Sequence, residues 1–129
     1  MITYYTKEGK AICMHSSDVP FKKLHRENGP AYIKVDKYDE IGVSYWYING
    51  KNHRENGPAI IWSDGDEEWY KFGKRHRLDG PAIEWKNLPK EYWINGKMLN
   101  IKEVESWIKN NNINLKTKQH QALFMLRFG

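Results

Sequence analysis

The heptapeptide His25-Arg26-Glu27-Asn28-Gly29-Pro30-Ala31 returns as His53-Arg54-Glu55-Asn56-Gly57-Pro58-Ala59 and again as His76-Arg77-Leu78-Asp79-Gly80-Pro81-Ala82. Copies at a near-fixed period constrain a chain more than any other pattern, because a unit too short to bury a face alone must stack on its neighbours. A second motif recurs between the copies: Trp46-Tyr47-Ile48-Asn49-Gly50-Lys51, Trp69-Tyr70-Lys71-Phe72-Gly73-Lys74 and Tyr92-Trp93-Ile94-Asn95-Gly96-Lys97. Gly50, Gly73 and Gly96 are spaced by 23 and 23 residues, whereas Pro30, Pro58 and Pro81 are spaced by 28 and 23. The first unit therefore carries a five-residue insertion, which falls in the polar stretch Asp36 to Gly42 and reads as a longer loop. Tyr5-Thr6-Lys7-Glu8-Gly9-Lys10 is a degraded copy of the second motif. The expected organisation is a half-repeat at 1–10, an interruption at 11–23, repeats at 24–51, 52–74 and 75–97, and a distinct tail at 98–129.

Each unit reads as strand, turn and strand. Ala59-Ile60-Ile61-Trp62 and Ala82-Ile83-Glu84-Trp85 are short, β-branched and aromatic, which suits a half-buried pleated surface. Asn49-Gly50 and Asn95-Gly96 are two-residue hairpin signals, Phe72-Gly73 is a weaker one, and Asp64-Gly65 is expected to be another with both residues at positive φ. The Asn/Asp-Gly-Pro corner combines a residue free to kink with one of fixed φ, and both a bulge and a full turn fit it. In register, Tyr32, Ile60 and Ile83 form one column and Lys34, Trp62 and Trp85 the next, all on one face. The fold expected is mainly β: an elongated, twisted antiparallel sheet of stacked hairpins, about three and a half repeats, closed by an α-helical C-terminal cap.

Composition agrees with a folded, non-membrane chain. Leu, Ile, Val and Phe together are only about a fifth of the 129 residues, but six Trp and eight Tyr add large buriable area. No apolar run approaches the roughly 20 residues of a membrane span, and the N-terminus lacks the features of a secretory signal. One cysteine, Cys13, excludes an internal disulfide framework and a cysteine-cluster zinc site. A cytoplasmic location is the simplest expectation. The net charge of +5 is concentrated at the ends: residues 1–23 carry +2, residues 24–97 balance, and residues 98–129 carry +3. Phosphate binding wants a clustered basic face, so the balanced middle argues against nucleic acid.

The order of aromatic strand, Asn-Gly-Lys-x-His, Gly and second strand resembles the MORN repeat. More closely, the His-Arg-x-Asn/Asp-Gly-Pro-Ala units are similar to a MORN-like variant carried in tandem by proteins of tailed bacteriophages and large DNA viruses. The resemblance covers Leu24 to Lys97 well and Tyr4 to Lys10 weakly. Arg26, Arg54 and Arg77 depart from it, standing where the ordinary unit has a second Gly, so neither the lipid binding nor the dimerisation ascribed to some MORN proteins is carried over. The resemblance implies an interaction scaffold, viral in origin and acting on a host protein, and no reaction.

After Lys97 the period becomes helical. Asn100 with Glu103 forms a capping-box-like start, and Ile101, Val104, Trp107 and Ile108 mark one face. Asn110-Asn111-Asn112 ends that helix. A second is expected from about Thr117 to Arg127, with Leu123 and Leu126 as its apolar positions. Two roles are open for this tail. It can cap the last repeat, as solenoids require, or it can bind a partner or make a homodimer through Trp107, Phe124, Arg127 and Phe128.

Catalysis and metal binding find little support in the residues. His25, His53 and His76 sit one hairpin apart, roughly 10 Å at sheet spacing, too far to share an ion. They read as structural, with Gly29, Gly57 and Gly80, packed on the sheet while the arginines close onto Glu27, Glu55 or a turn carbonyl. Asp66, Glu67 and Glu68 read as solvated charge at a hairpin tip. Cys13 beside His15 is weak evidence for a nucleophile, and no phosphate loop or dinucleotide fingerprint is present. The expected function is a non-enzymatic repeat scaffold without metal or cofactor, monomeric or dimeric through its tail, that binds another protein through Arg26, Arg54, Arg77 and the tail residues. A nucleic-acid binder using those arginines with Lys51, Lys74 and Lys97 is the alternative, and a small-ligand or nucleotide sponge the third.

Overall fold

The structure, a computed structural model, describes residues 1–38 and 40–129; Asp39, in the polar insertion, lies outside the described residues. In chain order the strands are β1 (Ile2–Thr6), β2 (Gly9–Cys13), β3 (Tyr32–Val35), β4 (Ile41–Tyr45), β5 (Tyr47–Ile48), β6 (Lys51–Asn52) and β7 (Ile60–Trp62). They continue with β8 (Glu67–Glu68), β9 (Tyr70–Lys71), β10 (Lys74–Arg75), β11 (Ile83–Glu84), β12 (Trp93–Ile94) and β13 (Lys97–Met98). Helices α1 (Ile101–Asn110) and α2 (Lys118–Phe128) follow. Seven strands form one antiparallel sheet in the order β11-β8-β7-β4-β3-β1-β2. The second motif of each repeat forms a separate small hairpin: β5–β6, β9–β10 and β12–β13.

The register aligns Tyr4, Tyr32, Tyr45, Ile60, Glu68 and Ile83 across the sheet. Tyr32 and Ile83 are buried, and Tyr32 stacks on Tyr45 at 4.8 Å. The expected Tyr32–Ile60–Ile83 column is therefore present. Lys34 and Trp62 share the next column through Val43, while Trp85 lies past the end of β11 and joins no ladder. The polar insertion is shorter than Asp36 to Gly42, because β4 already begins at Ile41.

Three hairpin turns behave as their sequences demand. Asn49-Gly50, Phe72-Gly73 and Asn95-Gly96 have positive φ at both residues. Asp64-Gly65 does not: only Gly65 is at positive φ. The Gly65 N–H donates to the Trp62 carbonyl at 3.0 Å and the Trp62 N–H to the Asp66 carbonyl at 3.0 Å, so the loop has three residues with Gly65 as its bulge.

The repeats rejoin the ladder at their alanines. Ala31, Ala59 and Ala82 are fully buried, and their carbonyls accept from the N–H groups of Tyr5, Trp46 and Trp69 at 2.8, 2.7 and 2.7 Å. The first His-Arg loop keeps this register despite the interruption. Residues 11–23 add edge strand β2 and two short 3-10 turns, Ser16–Asp18 and Phe21–Lys23. The chain then returns, and the His25 N–H meets the Tyr5 carbonyl at 3.0 Å, as His53 meets Trp46 and His76 meets Trp69 at 3.1 Å each.

At the other end Leu99 takes the histidine's place, its N–H reaching the Tyr92 carbonyl at 2.9 Å. Asn100, one residue on, turns the chain into α1: its side chain accepts the Glu103 N–H at 3.1 Å. Thr117 caps α2 in the same way, accepting from His120 at 3.2 Å. Tyr92, Ile94, Leu99, Val104, Leu115, Phe124 and Phe128 form one buried cluster; Ile2, Val19, Leu24, Ala31, Tyr32 and Val43 form another. The buried face of α2 carries Phe124 and Phe128, not Leu123 and Leu126; Leu126 is 82% exposed. Among the described residues no helix is long and apolar enough to cross a membrane.

Candidate functional site

Each His-Arg loop is tied by the same four groups. The guanidinium of Arg26 lies 3.9 Å from the Tyr5 ring centroid, that of Arg54 4.1 Å from Trp46 and that of Arg77 3.8 Å from Trp69. From there it donates to the carbonyl four residues on: Arg26 to Pro30 at 3.2 Å, Arg54 to Pro58 at 3.1 Å, Arg77 to Pro81 at 3.0 Å. The corner is thus a loop closed by arginine onto a carbonyl. Burial lowers the Arg54 guanidinium below its ordinary value.

The glycines have a different reason from the one expected. Gly29, Gly57 and Gly80 are not at positive φ. A Cβ at these positions would lie 3.0, 2.7 and 3.0 Å from the guanidinium carbon of the arginine three residues before it. Glycine thus leaves room for the guanidinium in its stacked position, most tightly at Gly57. The histidines link neighbours: the N–H groups of Asn49, Phe72 and Asn95 donate to Nδ1 of His25, His53 and His76, each at 3.0 Å. Each histidine therefore holds the first left-handed residue of the next hairpin turn, with its hydrogen on Nε2. The His53 Nε2–H donates to Glu55 at 2.6 Å. Burial, aided by the Lys71 charge, lowers the His76 pKa. Lys71 and His53, hydrogen-bonded to Glu55, lower that carboxyl too.

Successive loops leave grooves between them. The first, about 720 Å³, lies between the Arg26–Gly29 and Arg54–Asn56 segments, with Trp46, Ile48 and Phe72 as its apolar surface. The second, about 400 Å³, repeats this plan with Trp69, Lys71 and His76, and Lys118 and Gln121 of α2 narrow it. Lys116 also reaches Asp79 at 3.6 Å. Phe72 is the unusual member of the first groove. It sits at φ 46, where the sister turns have Asn49 and Asn95, and the residue is 60% exposed. A left-handed aromatic residue is rare and costs about 1–2 kcal/mol; the 4.0 Å stack on His53 offsets part of it.

The other candidates divide by burial. Phe124 and Phe128 are buried in their own chain's cluster, where Trp107 stacks on Phe124 at 6.1 Å. These three pack together within the C-terminal cap. Arg127 is exposed and lies over the Phe128 ring at 4.6 Å. Arg77 also pairs with Asp79 at 2.7 Å and Glu84 at 3.3 Å. Lys51 and Lys74 run their stems along the next turns, at Gly73 and Gly96, and Lys97 reaches the Phe128 carbonyl at 3.4 Å.

Glu68 was not expected inside. It is 6% exposed and accepts from Trp62 Nε1 at 2.9 Å and from the Tyr70 hydroxyl at 3.1 Å, with Arg75 at 3.7 Å. Its place between Ile60 and Ile83 in the column was the available signal. No family model matches the chain, and neither a curated protein nor a solved structure is significantly similar to it.

Proposed function

We propose that the chain is a non-catalytic repeat scaffold that binds another protein in the groove between its first two complete His-Arg loops. The observation that carries this reading is Phe72. A strained, exposed aromatic residue standing where asparagine serves the same turn elsewhere is a cost to the fold, and such costs concentrate at working surfaces. It faces a groove whose floor is Trp46 and whose rim offers the exposed Asn28 and Asn56. Aromatic anchors within a polar rim are the usual make-up of a protein interface.

Nucleic acid fits less well. The three arginines that reading needs are each stacked on a ring and bonded to a carbonyl, and the repeat region carries no net charge. The viral units that the sequence resembles direct the search for a partner to a host protein.

Phe72→Asn tests the reading because it gives the turn the residue its sisters have. The variant should melt higher, by the equivalent of about 1 kcal/mol. In affinity capture from host lysate with mass-spectrometric readout, the wild-type chain should retain a partner that the variant retains at least about tenfold less, an effect of hot-spot size. Nuclease treatment should change nothing. Equal capture by both proteins, or capture abolished by nuclease, would contradict the reading.

A further inference from the structure

The sheet ends in a strand whose outer edge pairs with nothing among the described residues. Strand β2 closes on β1 through the two-residue loop Lys7-Glu8, which makes Thr6 and Gly9 the first hydrogen-bonded pair. Bonded and non-bonded pairs alternate along an antiparallel ladder. Tyr4 with Ala11 and Ile2 with Cys13 are therefore bonded pairs as well. An independent check comes from the far side of β1. The Tyr5 N–H goes to the Ala31 carbonyl and the Met1 carbonyl receives the Val35 N–H, so the odd residues of β1 face β3. It follows that Lys10 and Ile12 turn both their N–H and C=O groups outward.

The opposite edge is not comparable. Strand β11 has two residues, and Ile83 is already bridged to Glu91. The segment after β2 does not cover its edge either: Val19 and Leu24 pack with Ile2 and Tyr4, on the other face from Lys10 and Ile12. On the uncovered side Ile12 is 57% and Met14 65% exposed.

Two outward residues separated by one are complementary to themselves. We infer that a second copy of this chain docks here, β2 against β2, about a two-fold axis through Ala11. In that register Lys10 bonds Ile12 of the second copy and Ile12 bonds its Lys10, giving four backbone hydrogen bonds. Ala11 faces Ala11 at a non-bonded site, where Cα atoms approach to about 4.5 Å and the alanine side chains fit without a clash. No charge opposes a like charge, since each Lys10 stands across from an isoleucine and lays its alkyl stem on it. The two sheets become one, and each exposed Ile12 gains cover. This surface shares no residue with the grooves.

Cysteine cross-linking reads the register. In a Cys13→Ser background, Ala11→Cys should form a disulfide-linked dimer on mild oxidation, because its Cα spacing falls in the disulfide range. Lys10→Cys, whose copies are offset along the strands, should cross-link at least about tenfold less under the same conditions. Ile12→Pro removes only an outward N–H, so it should give a protein of unchanged circular dichroism and melting that sediments as a monomer. Wild-type protein should show a dimer rising with concentration in sedimentation velocity. Monomer throughout the concentration series, or equal cross-linking by the two cysteine variants, would overturn the inference.

Discussion

The repeat loops and the C-terminal end meet the same geometric demand with opposite chemistry. At residues 25, 53 and 76 the chain leaves an aromatic hairpin through His-Arg, and polar groups hold the loop: a stacked guanidinium on a carbonyl and a histidine on the next turn. At residue 99 the backbone makes the same bond to the preceding aromatic strand, yet Leu99-Asn100 replaces His-Arg and the chain leaves as a helix. The reason is what comes next. A His-Arg loop has a following hairpin turn whose N–H needs an acceptor; the last hairpin has none, so its exposed apolar side must be covered instead. Polar ties suit internal joints between repeats, and apolar burial suits the end.

Removing the end should therefore do most damage. Deleting residues 100–129 uncovers Tyr92, Ile94 and Leu99, and the fragment should aggregate or lose its cooperative melt. A soluble, monomeric, cooperatively melting 1–99 chain would show that the cap is dispensable. Phe124→Ala, at a fully buried position between Trp107 and Phe128, should cost about 3–5 kcal/mol in denaturant unfolding. Arg54→Ala removes one loop tie from a partly buried side chain and should cost about 1–3 kcal/mol. If Arg54 cost as much as Phe124, the division between polar joints and apolar end would fail.

Acid should loosen the last of the repeat joints. The folded-state pKa of His76 lies below its usual 6.5, so the unfolded chain binds the proton more readily. Its contribution is complete above about pH 6.5 and is lost as the pH falls through that value toward the folded pKa. Protonation there would also take Nδ1 from the Asn95 N–H. Asp79 follows at lower pH: burial raises its pKa, but the Arg77 hydrogen bond and charge outweigh that and hold it below 3.8. The stability it adds is present above about pH 3.8 and disappears as pH falls through its folded value. His76→Asn, which keeps an acceptor without titrating, should flatten the melting profile below about pH 6.5, by on the order of 1 kcal/mol. An unchanged slope would place the titration elsewhere.

The repeats were readable because the same residue types had to solve the same joint three times, which makes periodicity visible without knowing the geometry. Turn residues were readable where φ alone decides, at Asn49-Gly50 and Asn95-Gly96. What escaped depends on contacts across the sheet. Gly57 looks like a residue chosen for backbone freedom, and only the position of the Arg54 guanidinium shows it to be a matter of space. Glu68 looks like surface charge until register places it between two isoleucines. Phe124 and Phe128, four apart, outcompete Leu123 and Leu126 for the core because α1 presents Trp107 to them. Strand β2 starts in the degraded motif at Gly9-Lys10 but runs on through Ala11 to Cys13, a stretch without motif, since an edge strand needs only one neighbour.

The arginine-under-glycine joint can be tested by a double-mutant cycle on Arg54→Ala and Gly57→Ala. Gly57 lies outside the left-handed region, and the nearest atoms an alanine Cβ would meet are those of the Arg54 guanidinium, its carbon 2.7 Å away. Gly57→Ala should destabilise the otherwise wild-type protein by about 1–3 kcal/mol in chemical denaturation. In the Arg54→Ala background most of that loss should vanish, a coupling of at least about 1 kcal/mol. Effects that add within about 0.5 kcal/mol would contradict the joint as described.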